Sequence, residues 1–193
     1  MNSTHLRSPD LLDRHSSLLL VVDAQQKLLK LIPSAPELIW NISRLARAAN
    51  LLKVPIRATE QYPERLGATD DRLQSLIGAT IAKRMFSCRE CSALFEDFKS
   101  LGIRQIVICG IESHVCILQT ALDLMANGFS IFLVADAVGA RHTIDHETAL
   151  RRIEICGGTL VTTEAVMFEW CETSTSEPFK EISKLVTEAR LDQ

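Results

Sequence analysis

The run Ser17-Leu-Leu-Leu-Val-Val-Asp23 constrains the fold more than any other stretch of the chain. It is aliphatic throughout and does not alternate with polar residues, so a strand built from it must be covered on both faces. Amphipathic helical stretches supply the covers. The first carries Leu38, Ile39, Ile42, Leu45, Ala46 and Ala49 at helical spacing over residues 36–50, with Pro36 suited to a first turn. The alternation continues along the chain. Strands are expected over 54–59, 81–86, 105–110, 129–136 and 159–162, and helices over 90–101, 114–127, 145–156, 163–170 and 177–189, with a turn-rich loop over 62–67. Strands alternating with helices imply βαβ units. The expectation is one α/β domain over 1–193: a three-layer α/β/α, Rossmann-like fold on a mostly parallel six-stranded sheet, with residues 1–15 loosely ordered.

Composition narrows the function. The 193 residues are 47% hydrophobic, enough for one well-buried core. The formal net charge is −3 and no basic block stands out, which speaks against nucleic acid or an anionic membrane as partner. No apolar run approaches the ~20 residues of a membrane helix, and the first residues lack the apolar core of a signal peptide. A cytoplasmic protein is expected. Of the six cysteines, Cys109, Cys116 and Cys156 sit in apolar patterns, which suits reduced thiols better than a disulfide framework.

In an open parallel sheet, ligands bind outside the carboxyl ends of the strands. Asp23 stands at such an end. A carboxylate closing an aliphatic run is costly unless paired or exposed; capping a following helix explains it as well as a functional acid does. Cys116 lies just past the start of a helix, whose unpaired N–H groups and dipole favour a thiolate, the reactive form. A small buried hydrophobe is the commoner fate of a cysteine. Lys83 either extends to solvent or pairs with Asp23, and a cation near a thiol lowers its pKa. Cys88 and Cys91 form a single CxxC without a second ligand pair for zinc. His142 and His146 straddle a helix start, where solvent or capping roles fit better than a metal. No phosphate-cradling glycine motif and no G-x-S-x-G elbow is present.

Several ordered segments carry a resemblance. Val22-Asp-Ala-Gln-Gln-Lys-Leu28, Lys83-Arg-Met-Phe-Ser87, the stretch from Gly110 through Cys116 to Gly128, and Val134-Ala-Asp-Ala137 resemble the isochorismatase-like cysteine hydrolases. The order Asp, Lys, Cys agrees as well. The tail over 177–185 is similar to the isochorismatase-domain-containing subgroup. The resemblance implies Cys116 as nucleophile, Asp23 as general base, and Lys83 stabilising the charged state and orienting the base. It implies an oxyanion hole from the backbone N–H groups of Glu112 and Cys116, and a cis peptide at Ile111–Glu112 that turns the Glu112 N–H toward the substrate. The thiolate would attack a small-molecule carbonyl, an amide above all, and water would hydrolyse the thioester. Tyr62 and Phe86 are candidate pocket walls, with Phe86 equally readable as core, and Gln25 and Ser113 are candidate polar contacts.

The departures matter too. The nicotinamidase branch of these enzymes binds a metal through an Asp-x-His segment after the second strand. The stretch Arg57-Ala-Thr-Glu-Gln-Tyr-Pro63 has no histidine, so no metal and no cofactor are expected. A homo-oligomer is expected, as is common in the family. Two alternatives stay open: a catalytically silent scaffold on the same fold, and a hydrolase of isochorismate-type vinyl ethers that does not use the thiol.

Overall fold

The computed structural model describes residues 6–189. Its strands are β1 (Ser17–Val22), β2 (Ile56–Gln61), β3 (Thr80–Lys83), β4 (Gln105–Ile111), β5 (Ser130–Gly139) and β6 (Thr159–Val161). They form one sheet in the order β3-β2-β1-β4-β5-β6, with every neighbouring pair parallel. The helices are α1 (Gln26–Leu29), α2 (Ala35–Leu52), α3 (Pro63–Leu66), α4 (Asp71–Ile77), α5 (Ser92–Ser100), α6 (Leu118–Ala126), α7 (Thr143–Ile155), α8 (Thr163–Cys171) and α9 (Phe179–Val186). A 3₁₀ turn (Cys88–Glu90) precedes α5, and one turn of π-helix (Ser113–Ile117) leads from β4 into α6.

The expected α/β/α layering follows from β1 itself. Its successive side chains point to opposite faces. Leu19 and Val21 pack into one core with α2, α4, α8 and α9, while Leu18, Leu20 and Val22 pack into the other with α5, α6 and α7. Sequence order reverses beside β1, because β2 lies on one side of it and β4 on the other. That reversal is the crevice where doubly wound sheets bind ligands. The two strands approach closely there. Gly110 has φ +118°, and a Cβ on it would stand 2.0 Å from the Val22 carbonyl oxygen. Only glycine fits both constraints.

The structure corrects the sequence reading in several places. β2 continues two residues past its expected end, to Gln61. The loop over 62–67 contains α3, and α4 was not anticipated. β3 stops at Lys83, which leaves Phe86 outside the strand with 52% of its surface exposed, so it is not core. Cys156 is exposed, not buried, because it caps the end of α7 on the solvent side.

Residues 6–15, expected to be loosely ordered, are tied to the domain. Leu12 is wholly buried, its N–H donates to the Glu169 carboxylate at 2.8 Å, and the Asp13 N–H donates to Gln105 Oε1 at 2.7 Å. Leu12→Ala is therefore expected to lower stability by about 2–3 kcal/mol in urea denaturation. A cost near zero would mean that the segment contributes no packing. Residues 1–5 of the expectation lie outside the described residues.

Candidate active site

Four neighbouring strands deliver the site from their carboxyl ends. Asp23 follows β1 in the left-handed region at φ +50°, a conformation that disfavours side chains other than glycine and is found at functional positions. Its side chain is fully buried and forms an ion pair with Lys83 at the end of β3, Nζ to Oδ2 2.7 Å. The Thr59 hydroxyl on β2 donates to Asp23 Oδ1 at 2.8 Å. Apart from the ion pair, no hydrogen-bond donor among the described residues is aligned on Oδ2. That oxygen keeps capacity to take a proton.

Cys116 sits in the π-helical turn after β4 with 6% of its surface exposed. Its sulfur is within hydrogen-bonding reach of both Asp23 and Lys83. Burial and the Asp23 carboxylate push its pKa up, and Lys83 offsets only part of this. The resting group is thus a neutral thiol, not the helix-stabilised thiolate that its sequence position suggested. For Lys83, burial acts to lower the pKa, but the Asp23 carboxylate and the Cys116 sulfur outweigh it and raise the value on balance. The ammonium stays charged.

The turn that carries Cys116 is clamped from the start of α7. The Ile111–Glu112 peptide is cis. Glu112 Oε2 accepts from the Arg141 N–H at 3.1 Å and from its Nε at 3.0 Å. Ser113 Oγ lies 2.9 Å from His146 Nδ1, and His114 faces Asp145 at 3.8 Å. Burial lowers the His146 pKa. The other histidine of that pair, His142, stands at the N-cap of α7 but makes no side-chain capping bond.

The remaining candidates fall at different distances from the chemistry. Tyr62 is half-buried at the end of β2 with the Arg84 guanidinium 3.7 Å over its ring. Phe86 contributes its carbonyl, which accepts from Lys83 Nζ at 2.8 Å, while its ring faces outward. Gln25 acts as a brace. It is wholly buried, its Nε2 donates to the carbonyls of Gln61 and Gly67, and its Oε1 accepts from the Gln61 N–H at 2.8 Å. Sequence reasoning missed Thr59 and Gln61. Gln61 Oε1 accepts from Lys83 Nζ at 2.6 Å and lies 3.9 Å from Cys116 Sγ.

Cys88 and Cys91 are both buried beside the site, and Cys88 Sγ lies 3.8 Å from the Thr59 hydroxyl. Burial is the main cause of both raised values, with the Cys88 thiol pushed up to about 12 and Cys91 to about 11. Reactive thiols have lowered values, so the pair reads as packing. Among the described residues, no group of three or more His, Cys, Asp or Glu side chains is placed to hold a metal ion, and no helix is long and apolar enough to cross a membrane.

The family model of the Isochorismatase domain matches residues 17–165. The chain belongs to the isochorismatase family. Isochorismatase domain-containing protein 2 of Xenopus laevis is 35% identical over 188 residues, 97% of this chain and 91% of that protein. Its Homo sapiens counterpart is 35% identical over 178 residues, 92% of this chain and 86% of that protein. Among solved structures, the MAR1 ribonuclease from Caenorhabditis elegans is 34% identical, covers 94% of this chain and 95% of that one, and superposes with a TM-score of 0.87. The ycaC gene product of Escherichia coli, described as an octameric hydrolase of unknown specificity, is 23% identical with a TM-score of 0.85 over 93% of this chain and 91% of that one, a likeness in fold. The isochorismatase-family fold and its hydrolase membership therefore stand together with a buried lysine–carboxylate pair and a buried thiol at the crevice.

Proposed function

We propose that this chain is a cysteine hydrolase of a small-molecule C–N bond, with Cys116 as nucleophile, Asp23 as proton carrier and Lys83 as the fixed positive charge. The observation that carries the reading is the buried meeting of carboxylate, ammonium and thiol at the sheet's crevice. Asp23 takes the thiol proton as the sulfur attacks the carbonyl carbon. The C–N bond then breaks, the amine leaves with the proton from Asp23, and water hydrolyses the thioester to release the acid and restore the thiol. Backbone N–H groups of Glu112 and Cys116 face the developing oxyanion, each such donor being worth ~2.7–4 kcal/mol. The clamp from Arg141 and His146 keeps that turn in place. The fully paired Lys83 favours positioning by charge over proton transfer.

A groove of about 320 Å³, lined by Ser34, Glu37, Asp136, Arg141, Thr143 and His146 and not by Asp23, Lys83 or Cys116, adjoins the clamped turn. It falls at the small end of ligand pockets. We assign it to the part of the substrate beyond the scissile bond. Glu37 and Asp136 beside Arg141 and His146 make it mixed in charge, which suits a polar neutral or zwitterionic compound.

The name of the C. elegans relative raises RNA as a second substrate class. The net charge of −3 and the enclosed thiol favour a small molecule over a polyanion. The test is a turnover screen over small amides and ureido compounds, isochorismate and RNA, with acid-quenched samples mapped by mass spectrometry. An acyl adduct on Cys116 with one of the amides is the expected result. Turnover of RNA or isochorismate alone, with no adduct on any cysteine, would overturn the reading.

A further inference from the structure

We propose that Gln61 is a positioning residue that competes with the Cys116 sulfur for a Lys83 N–H in the resting protein and so, together with burial and the Asp23 carboxylate, keeps the nucleophile a neutral thiol. The inference rests on the reading of Cys116 as nucleophile. An ammonium has three N–H donors. Those of Lys83 meet the Asp23 carboxylate at 2.7 Å, Gln61 Oε1 at 2.6 Å and the Phe86 carbonyl at 2.8 Å, with the Met85 carbonyl further away at 3.3 Å. The sulfur, also within hydrogen-bonding reach of Lys83, competes with these oxygens for the same three N–H groups. Cys116 Sγ lies 3.9 Å from the same Gln61 oxygen, at the long reach of a thiol donor. One amide oxygen thus competes with the sulfur for the ammonium and, beside the Asp23 carboxylate, offers the thiol hydrogen an acceptor.

The orientation of that amide is fixed. Gln61 Nε2 donates to the Arg84 carbonyl at 2.7 Å, so a flip would lose that bond and turn an NH₂ group toward an ammonium. The Gln61 backbone is pinned in turn on both its N–H and its carbonyl by Gln25. No other charge near the sulfur substitutes for this arrangement. Asp23 and Lys83 are the charged groups that act on Cys116. From the nucleophile turn and α7, Glu112 is paired with Arg141, His114 faces Asp145, and His146 is bonded to Ser113. Cys88 and Cys91, on the side of the 3₁₀ turn, are themselves held as thiols by burial. When the Cys116 proton moves to Asp23, the new negative charge on sulfur draws in a Lys83 N–H as Gln61 yields its share.

The test reads the sulfur directly. Gln61→Met keeps the length of the side chain and removes the acceptor. The freed Lys83 N–H then turns to the sulfur and lowers the Cys116 pKa. A fall of about one unit makes the thiolate ~10-fold more abundant at any pH below both values. Each thiolate becomes roughly threefold less reactive as its basicity drops. Alkylation by iodoacetamide, in which the S–C bond forms as iodide leaves and the thiol proton passes to solvent, is expected to speed up roughly threefold at Cys116 from neutral to mildly alkaline pH. The rate is read by peptide mass spectrometry on a Cys156→Ser background. An unchanged or slower rate, with an unaltered circular dichroism spectrum, overturns the inference.

A second measurement needs no Gln61 variant. The Cys116 S–H stretching band, isolated in the infrared by difference against Cys116→Ala, is expected at lower wavenumber than the band of exposed Cys156, isolated in the same way. Coincidence of the two bands overturns the inference. If Cys116→Ala turns over the substrate as well as the native chain, the nucleophile reading and this inference fall together. If Cys116→Ala is inactive and Gln61→Met labels at the native rate, this inference alone falls.

Discussion

Cys116→Ala is expected to reduce kcat/KM on the amide found by screening by at least roughly 10⁴-fold, because removing the nucleophile of a triad leaves only the oxyanion donors and binding. The side chain is small and contributes little packing, so the melting temperature should move by only a few degrees. That contrast makes the experiment decisive. A large activity loss on an intact fold assigns the chemistry to the sulfur. Full retention of turnover would remove the thiol from the mechanism and favour a vinyl-ether type of cleavage. No turnover of any compound by the native chain would favour a binding protein on a hydrolase scaffold.

The second large effect concerns stability. Lys83 and Asp23 are paired with both side chains fully buried. Deleting one partner leaves a charge in a medium that solvates it poorly, and such deletions cost about 3–5 kcal/mol. Lys83→Met is therefore expected to lower the melting temperature by roughly 10 °C, given ~2–4 °C per kcal/mol for a domain of this size. The double variant Asp23→Asn/Lys83→Met leaves no buried charge at this site, and the Thr59 hydroxyl can still donate to the amide oxygen of the new asparagine. Most of the lost stability should return. A Lys83→Met variant that loses less than about 1 kcal/mol would behave like an exposed pair, and a double variant no better than the single would show that packing, not charge, was lost.

The sheet and its layers were legible because β1 is aliphatic on both faces, and because the helical stretches carry their apolar residues at helical spacing. Asp23, Lys83 and Cys116 stood out because each is a polar or reactive group interrupting or following an apolar run. Gln61 did not stand out, because Glu60 and Gln61 are polar and read as the start of a loop. Their side chains are satisfied inside the fold: Glu60 Oε1 accepts from Thr69, and the Gln61 amide is held by Lys83 and Arg84. Periodicity carries no trace of partners so distant in sequence. The same limit explains Gln25, whose neighbour Asp23 suggested a substrate contact while its amide holds two other stretches of backbone. Cys156 failed in the opposite way, since an apolar sequence neighbourhood at the end of α7 does not say which side of the helix faces water.

The order in which the chain is made bears on when the site exists. The carboxylate, the threonine, the glutamine and the lysine come from strands β1, β2 and β3, whereas the sulfur comes from the turn beyond β4, and β4 pairs with β1, the earliest strand of all. A nascent chain that has emerged only as far as β3 therefore contains Asp23 and Lys83 but not Cys116. The thiol joins them only after a strand from mid-chain has docked against the first one. No fragment ending before β4 can carry the proposed chemistry, and splitting the protein there would divide Asp23 from Cys116.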